Sequence, residues 1–100
     1  MAGRYVDDVA ALRAAVFDGA GVIDPALRRA AGTGAAVPEV WAAYVGKVRD
    51  ASHRITDHDV AALKAAGCAE EEIFEITVAA ATGAALQRLD IGLRAMHEEP

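Results

Sequence analysis

The stretch ITDHDVAALKAAGCAEEEIFEITVAAATGAALQRLDIGLRAM, residues 55–96, decides the fold of this chain. It contains a polar helix cap, a short helix, a glycine stop and one long alanine-rich helix. Thr56 and Asp59 have the form of a capping box, in which the threonine hydroxyl accepts a backbone N–H and the aspartate bonds the N–H of the cap. Gly67 suits the left-handed conformation that ends many helices. We therefore predict a short helix over residues 57–66.

A second helix is predicted directly after this stop. Glu70, Glu71 and Glu72 open it, and their negative charges favour the positive end of a helix dipole. Neither proline nor another clear stop follows before His97, so we expect one helix to about Met96. At roughly 1.5 Å per residue it would be about 40 Å long.

The middle of this long helix, residues 76–87, carries no formal charge and is apolar or small on nearly every face. A helix of this kind needs cover on all sides. The run is shorter than the roughly 18 to 20 apolar residues that cross a bilayer, and Glu75 and Arg88 bracket it. Alanine and glycine allow backbones to approach closely, and a chain of 100 residues has few other helices. We therefore expect a second subunit to supply part of the cover.

Two helices are predicted in the first third of the chain. Apolar residues at helical spacing predict an amphipathic helix over residues 6–17, after a short tail. A glycine-rich turn follows over residues 18–22. Asp24 and Pro25 are a favourable cap and first-position pair for a short helix that ends near Ala31.

The next segment is predicted to be a loop followed by a helix. The GTG of residues 32–34 lacks the strand, lysine and spacing of a phosphate-binding P-loop, so residues 32–37 are interpreted as a plain loop. Pro38 then begins a helix to about Ser52. Its apolar stripe is interpreted as core and consists of Val37, Trp41, Tyr44 or Val45, Val48 and Ser52.

The composition fits one compact domain over residues 1–100. Hydrophobic residues make up 54% of the chain, and no strand pattern of useful length alternates along it. The predicted class is all-α with about five helices. The net charge of −5 argues against nucleic acid and anionic membrane as partners, because both need a basic surface. One cysteine allows no internal disulfide, and the start MAGRYVDD lacks an apolar signal core, so a cytoplasmic, bacterial-type location is expected.

Residues 44–93, YVGKVRDASHRITDHDVAALKAAGCAEEEIFEITVAAATGAALQRLDIGL, resemble the carboxymuconolactone decarboxylase and alkylhydroperoxidase D-like family. The most specific part is the order ITDxDVxxLxxAG, EEEIFEIT and then an alanine-rich helix that ends in an arginine and leucines. The resemblance covers about half of the chain. It implies an all-helical domain that is an obligate oligomer, assembled as a dimer, trimer or hexamer through the long helices.

The resemblance does not extend to the family's chemistry. Its peroxidases carry a Cys-x-x-Cys pair with a nearby glutamate and histidine, because a low-pKa thiolate attacks peroxide and a second thiol resolves it. This chain has only Cys68, just before the long helix. No catalytic residue of the family therefore maps onto it.

Cys68 and Glu75 are the candidate catalytic residues. A helix N-terminus lowers the pKa of a thiol, whereas the three glutamates that follow would raise it. We favour a packing role, in which Ala69 is the cap and Cys68 and Ile73 form a hydrophobic staple. Glu75 either pairs with a basic residue such as Lys47 or Arg49 or faces solvent.

Tyr44, Lys47 and His53 are candidates for a small site that binds an anion or a carbonyl oxygen, since they can share one rim of a helix. The simpler interpretation is a solvated surface with His53 complementing the helix end. His58 stands between Asp57 and Asp59, but neighbours on a helix point in different directions and do not converge on one metal ion. No motif indicates a cofactor.

Two classes of function follow. The first is a non-catalytic homo-oligomer that acts as a scaffold, a protein partner or a small-ligand binder. The second is an enzyme, either a thiol-dependent peroxidase that uses Cys68 or a cysteine-free decarboxylase-like or isomerase-like enzyme that uses Tyr44, Lys47, His53 or Glu75. We favour the first, because the redox pair is absent. The partner is then a second copy of the chain, with another protein subunit as the alternative.

Overall fold

The computed structural model describes residues 2–97, and side chains from Tyr5 onward. Over this range the chain is all-α with five helices, as predicted, and the last helix is the longest. A π-helical turn, Ala14–Asp18, follows the first helix, and a 3-10 turn, Ser52–Arg54, follows the third. The helices are α1 (Ala2–Arg13), α2 (Pro25–Thr33), α3 (Glu39–Asp50), α4 (Asp57–Ala65) and α5 (Glu70–His97).

The local signals of the second half of the chain act as predicted. The backbone N–H of Asp59 donates to Thr56 Oγ1 at 3.4 Å, and the N–H of Thr56 donates to Asp59 Oδ2 at 2.9 Å, which completes the capping box of α4. Gly67 has φ of +97° and ends that helix. In the first half, the Asp24 side chain accepts the N–H of Ala26 at 2.8 Å and caps α2.

The predicted bounds are wrong by a few residues at four places. The first helix begins at residue 2 rather than 6, and its last turn widens into the π-helical turn. The second continues through Gly32 and Thr33 because the left-handed residue that ends it is Gly34, with φ of +79°. The third ends two residues early, since the 3-10 turn replaces its predicted last turn. The fourth ends at residue 65, one residue early.

The core forms where α2 and α3 lie across α5, with smaller contributions from α4 and the π-helical turn. At the crossing of α2 and α5 the two backbones touch through glycines. A methyl group on Gly83 would overlap the backbone of Gly32, and a methyl group on Gly32 would lie 2.5 Å from Cε1 of Phe17. The largest buried core side chains are Phe17, Ile23, Trp41, Tyr44, Val45, Val48, Leu63, Ile73 and Ile76.

The uncharged middle of α5 is covered mainly by the chain itself. Six of its twelve residues are buried and three are half-buried, and α2 and α3 lie on them, whereas Ala81, Ala85 and Gln87 are exposed. Gly32 and Gly83 let α2 approach closely enough to provide much of this cover, and cover of the remaining exposed positions by a second subunit stays a prediction. The described residues include no helix that is long and apolar enough to span a bilayer.

The uncovered part of α5 lies further along, beyond residue 88. There α5 projects together with α1, and the molecule measures 52 × 28 × 21 Å. We call residues 5–13 of α1 and residues 88–97 of α5 the arm. Nearly all of its residues are exposed.

Candidate functional site

The five candidate residues do not form one site. Tyr44 and Lys47 line a cleft of about 200 Å³ between α3 and α4. His53 is exposed on the 3-10 turn and does not line this cleft. Glu75 lines a separate cavity of about 650 Å³ between the π-helical turn and the start of α5, and Cys68 lies in the loop between α4 and α5. The structure therefore does not bring Tyr44, Lys47 and Glu75 together in one cavity.

Lys47 is held by a carboxylate of the neighbouring helix. Its Nζ lies 2.9 Å from Asp59 Oδ1 and 3.0 Å from Oδ2. These bonds to Lys47, followed by the N–H of Thr56, lower the pKa of Asp59 below its ordinary value. Asp59 thus bonds both the cap of α4 and the lysine of α3, which joins the two helices and leaves the lysine charge compensated.

Tyr44 is buried, and its hydroxyl takes part in a short chain of hydrogen bonds. The Tyr44 hydroxyl lies 2.7 Å from Thr77 Oγ1, which donates to the carbonyl oxygen of Ile73 at 2.6 Å. Because Thr77 uses its proton for that carbonyl, Tyr44 is the donor in the bond between the hydroxyls. Tyr44 is thereby fixed to α5 as part of the core.

The end of α3 is capped by arginine rather than by histidine. Arg88 Nη2 donates to the carbonyl oxygen of Arg49 at 2.7 Å, in the last turn of α3. Arg49 in turn donates through Nη1 to the carbonyl oxygen of Gly32 and through Nη2 to Gln87. These side chains tie the ends of α2 and α3 to α5. His53, which was predicted to complement this helix end, lies exposed on the adjacent turn.

Cys68 occupies the staple position that the sequence predicts. It is half-buried and packs against the core that contains Ile73, five residues on. Glu72 Oε1 accepts the N–H of Ala69 at 2.8 Å, so the cap of α5 is held by the third residue of the helix. Burial, followed by the charge of Glu72, raises the pKa of the Cys68 thiol. The thiolate is the reactive form, so the surroundings of Cys68 disfavour nucleophilic chemistry.

Glu75 fastens a loop to α5. Its carboxylate accepts the N–H of Val22 at 2.8 Å and the N–H of Ile23 at 2.9 Å. A methyl group on Gly21 would lie 2.5 Å from Glu75 Oε1, so glycine at this position lets the carboxylate lie close to the loop backbone. The predicted pairing of Glu75 with Lys47 or Arg49 is therefore wrong: its partners are backbone N–H groups, and the residue is half-exposed.

The electrostatics of Glu75 follow from these bonds. The N–H of Val22, followed by the N–H of Ile23, lowers the pKa of Glu75, because both bonds stabilise the charged form. The nearby positive charge of Arg28 acts in the same direction. Glu75 is therefore a poor general acid or base near neutral pH, where it stays ionised and hydrogen-bonded.

Arg28 is a buried residue that sequence reasoning missed. It is only 4% exposed, and it donates through Nη1 to the carbonyl oxygen of Val16 at 3.0 Å and through Nη2 to that of Gly19 at 2.6 Å. Its position in the sequence could have indicated burial, because it lies beside Leu27 and near Ala31 on the covered face of α2. Arg28 thus bonds carbonyl oxygens in and just after the π-helical turn, while Glu75 bonds N–H groups of the loop that follows.

A second large groove lies within the arm, between α1 and the end of α5. It has a volume of about 590 Å³, and Val6, Val9, Leu89 and Leu93 supply its apolar lining. Arg13 and Asp90 form an ion pair of 3.3 Å at this groove. Within the described residues no group of three or more histidine, cysteine, aspartate or glutamate side chains is arranged to hold a metal ion.

No family model, curated protein or solved structure matches this chain. The functional interpretation therefore rests on the residues and on their geometry.

Replacement of Glu75 tests the anchored loop. In Glu75→Gln one backbone N–H loses its acceptor, and at neutral pH we expect a loss of about 1–3 kcal/mol in the free energy of unfolding. Because the pKa of Glu75 is lowered in the folded protein, its contribution is complete above the ordinary value of 4.5 and falls as the pH drops below that value. The difference between wild type and variant should therefore shrink in acid.

Urea unfolding monitored by circular dichroism at several pH values measures this difference. Glu71→Gln is the matched control, since Glu71 is an exposed glutamate in the first turn of the same helix. A Glu75→Gln variant as stable as Glu71→Gln at neutral pH would contradict the anchoring role.

Proposed function

We propose that the chain is a non-catalytic homo-oligomer, a diverged member of the carboxymuconolactone decarboxylase and alkylhydroperoxidase D-like family that acts as an assembly scaffold. The family part of this proposal rests on the resemblance of residues 44–93. The assembly part rests on the arm. Its apolar side chains are exposed among the described residues, although apolar groups of this size favour burial.

The observation that carries the proposal is the contrast between the arm and the candidate reactive groups. Lys47, Tyr44 and Glu75 each bond another part of the same chain, and Cys68 packs against the core. These bonds hold helices and loops together. Apolar side chains, in contrast, remain uncovered in the arm. This contrast supports association rather than chemistry as the function.

The enzyme alternative can be tested through the reactivity of Cys68 towards peroxide. A thiol-dependent peroxidase needs a thiolate that reacts with peroxide much faster than an ordinary thiol. Since burial and Glu72 raise the pKa of Cys68, we expect hydrogen peroxide or an alkyl hydroperoxide to oxidise it no faster than a free thiol such as N-acetylcysteine at the same pH. We also expect no turnover with an external thiol.

Denaturing mass spectrometry of timed samples measures the oxidation rate, and Cys68→Ser is the control for oxidation elsewhere in the chain. Stoichiometric oxidation of Cys68 well ahead of the free thiol would overturn the non-catalytic proposal. It would make thiol-dependent peroxide turnover the assay to pursue.

A further inference from the structure

The arm is a pair of antiparallel helices that stand apart from each other. Phe17 lines the same small cavity as Gly83, Arg13 pairs with Asp90, and Val9 faces the groove that Leu93 also lines. Residues nearer the start of α1 therefore lie beside residues nearer the end of α5, so the two helices run antiparallel. The groove between the two helices remains open. The axes of packed helices lie 8–10 Å apart with their side chains interdigitated, which leaves no such space.

Exposed apolar side chains are concentrated in this arm. Ten large hydrophobic residues of the described chain are exposed, and seven of them belong to the arm. The three others lie apart, on the loop before α2, on α3 and on the first turns of α5. Leu89, Leu93 and Met96 lie at helical spacing on one side of α5, so this helix presents an apolar face in the arm. The seven are Tyr5, Val6, Leu12, Leu89, Ile91, Leu93 and Met96.

The charges of the arm balance, unlike those of the whole chain. Residues 5–13 and 88–97 contain three acidic residues, Asp7, Asp8 and Asp90, and three arginines, Arg13, Arg88 and Arg94. With histidine neutral their net charge is zero, whereas the whole chain carries −5. Two copies of the arm therefore approach without the repulsion that the rest of the surface would produce. A strongly acidic or strongly basic partner gains nothing from this surface.

The exposed area is of the size that self-association needs. The seven residues are 42–70% exposed, so together they expose on the order of several hundred Å² of apolar surface in each chain. A stable interface buries about 800 Å² of each partner. A two-fold interface uses the same patch on both copies.

We infer that the arm is the docking site of a second copy of this chain, and that two arms pack about a two-fold axis into a four-helix bundle. Each open groove then receives apolar side chains of the other copy, and the exposed residues of both arms form the bundle core. This inference deepens the proposed function, on which it rests, because it places the assembly surface at the arm rather than at the uncharged middle of α5. It makes a dimer the smallest assembled unit.

The test is sedimentation velocity of the whole chain from micromolar to submillimolar concentration, with single glutamate substitutions. Wild type is expected to sediment as a dimer or a multiple of one. Leu93→Glu places one charge in each half of a symmetric interface, so its effect is counted twice, and we expect the dissociation constant to rise by about 100-fold or more. Leu93 is 42% exposed in the single chain, so the variant should keep the helical circular dichroism spectrum of wild type.

Two further variants separate the possible failures. Val40→Glu is the matched control, since Val40 is 44% exposed but lies on α3, and it should leave assembly unchanged. Phe74→Glu tests the exposed aromatic at the other end of α5. Dissociation by Phe74→Glu with Leu93→Glu still assembled would overturn the arm as docking site and leave the proposed function intact. A wild-type chain that stays monomeric throughout would overturn both.

Discussion

Gly83→Ala is expected to lower the free energy of unfolding by about 3 kcal/mol. The added methyl group would overlap the backbone of Gly32, which is part of α2. A flexible side chain can rotate away from such a contact, whereas a backbone can move only if the two helices separate. Separation would loosen the most extensive helix contact in the described residues, that of α2 with α5.

Gly46→Ala is the matched control for this substitution. Gly46 is also inside a helix, α3, and a methyl group there meets no atom within 4 Å. Replacing glycine by alanine at an open helical position stabilises by up to ~1 kcal/mol. Urea unfolding should therefore give opposite signs for the two variants. Equal stabilities would contradict the close crossing of α2 and α5.

Arg28→Met is expected to cost about 2–4 kcal/mol. The methionine keeps much of the apolar stem but leaves the carbonyl oxygens of Val16 and Gly19 without their donors, and each unsatisfied buried acceptor costs roughly 1–3 kcal/mol. The π-helical turn and the following loop should lose protection together in hydrogen exchange. That pattern would separate a local role of Arg28 from a uniform loss of stability.

The adjacent arginine is the natural control for Arg28. Arg29 pairs with Asp18, but both side chains are more than half exposed, and exposed ion pairs contribute about 0–1 kcal/mol. Arg29→Met should therefore change the free energy of unfolding by less than 1 kcal/mol. If Arg28→Met proves as mild as Arg29→Met, then the two buried bonds of Arg28 do not stabilise the turn.

Local patterns explain which parts of the fold are predictable from the sequence. The capping box of Thr56 and Asp59, the stop at Gly67 and the staple position of Cys68 each depend on residues within five positions of one another. Their chemistry acts before any tertiary contact forms. The same holds for Asp24 at the start of α2. These elements therefore follow directly from the order of residues.

Partners that are remote in sequence explain the errors. Glu75 bonds backbone groups of residues 22 and 23, more than 50 positions away, and a backbone N–H leaves no mark in the sequence. Arg28, Arg49 and Arg88 likewise bond carbonyl oxygens of other elements. The sequence pattern predicted that Glu75 pairs with a basic side chain such as Lys47 or Arg49. In the structure Glu75 and these arginines bond mainly backbone N–H and carbonyl groups. At the candidate site, Tyr44 and Lys47 bond side chains of other helices, those of Thr77 and Asp59, and His53 is exposed on the 3-10 turn.

The interpretation of the long helix shows the same limit. An uncharged, alanine-rich segment correctly predicts a buried helix, but it does not say which surface covers it. The contact between Gly32 and Gly83 decides that question, and it joins residues 51 positions apart. The segment that lacks cover has alternating charges and large apolar residues, so its sequence resembles an ordinary amphipathic surface.

The most direct test of the central claim is native mass spectrometry of the purified chain, followed by denaturing mass spectrometry of the same sample after one equivalent of hydrogen peroxide. The account predicts a dimer or a multiple of dimers in the native spectrum and a chain without added oxygen in the denatured one. A monomer in the native spectrum would contradict assembly as the function. Quantitative addition of oxygen at Cys68 would contradict the non-catalytic interpretation and favour a thiol-dependent peroxidase.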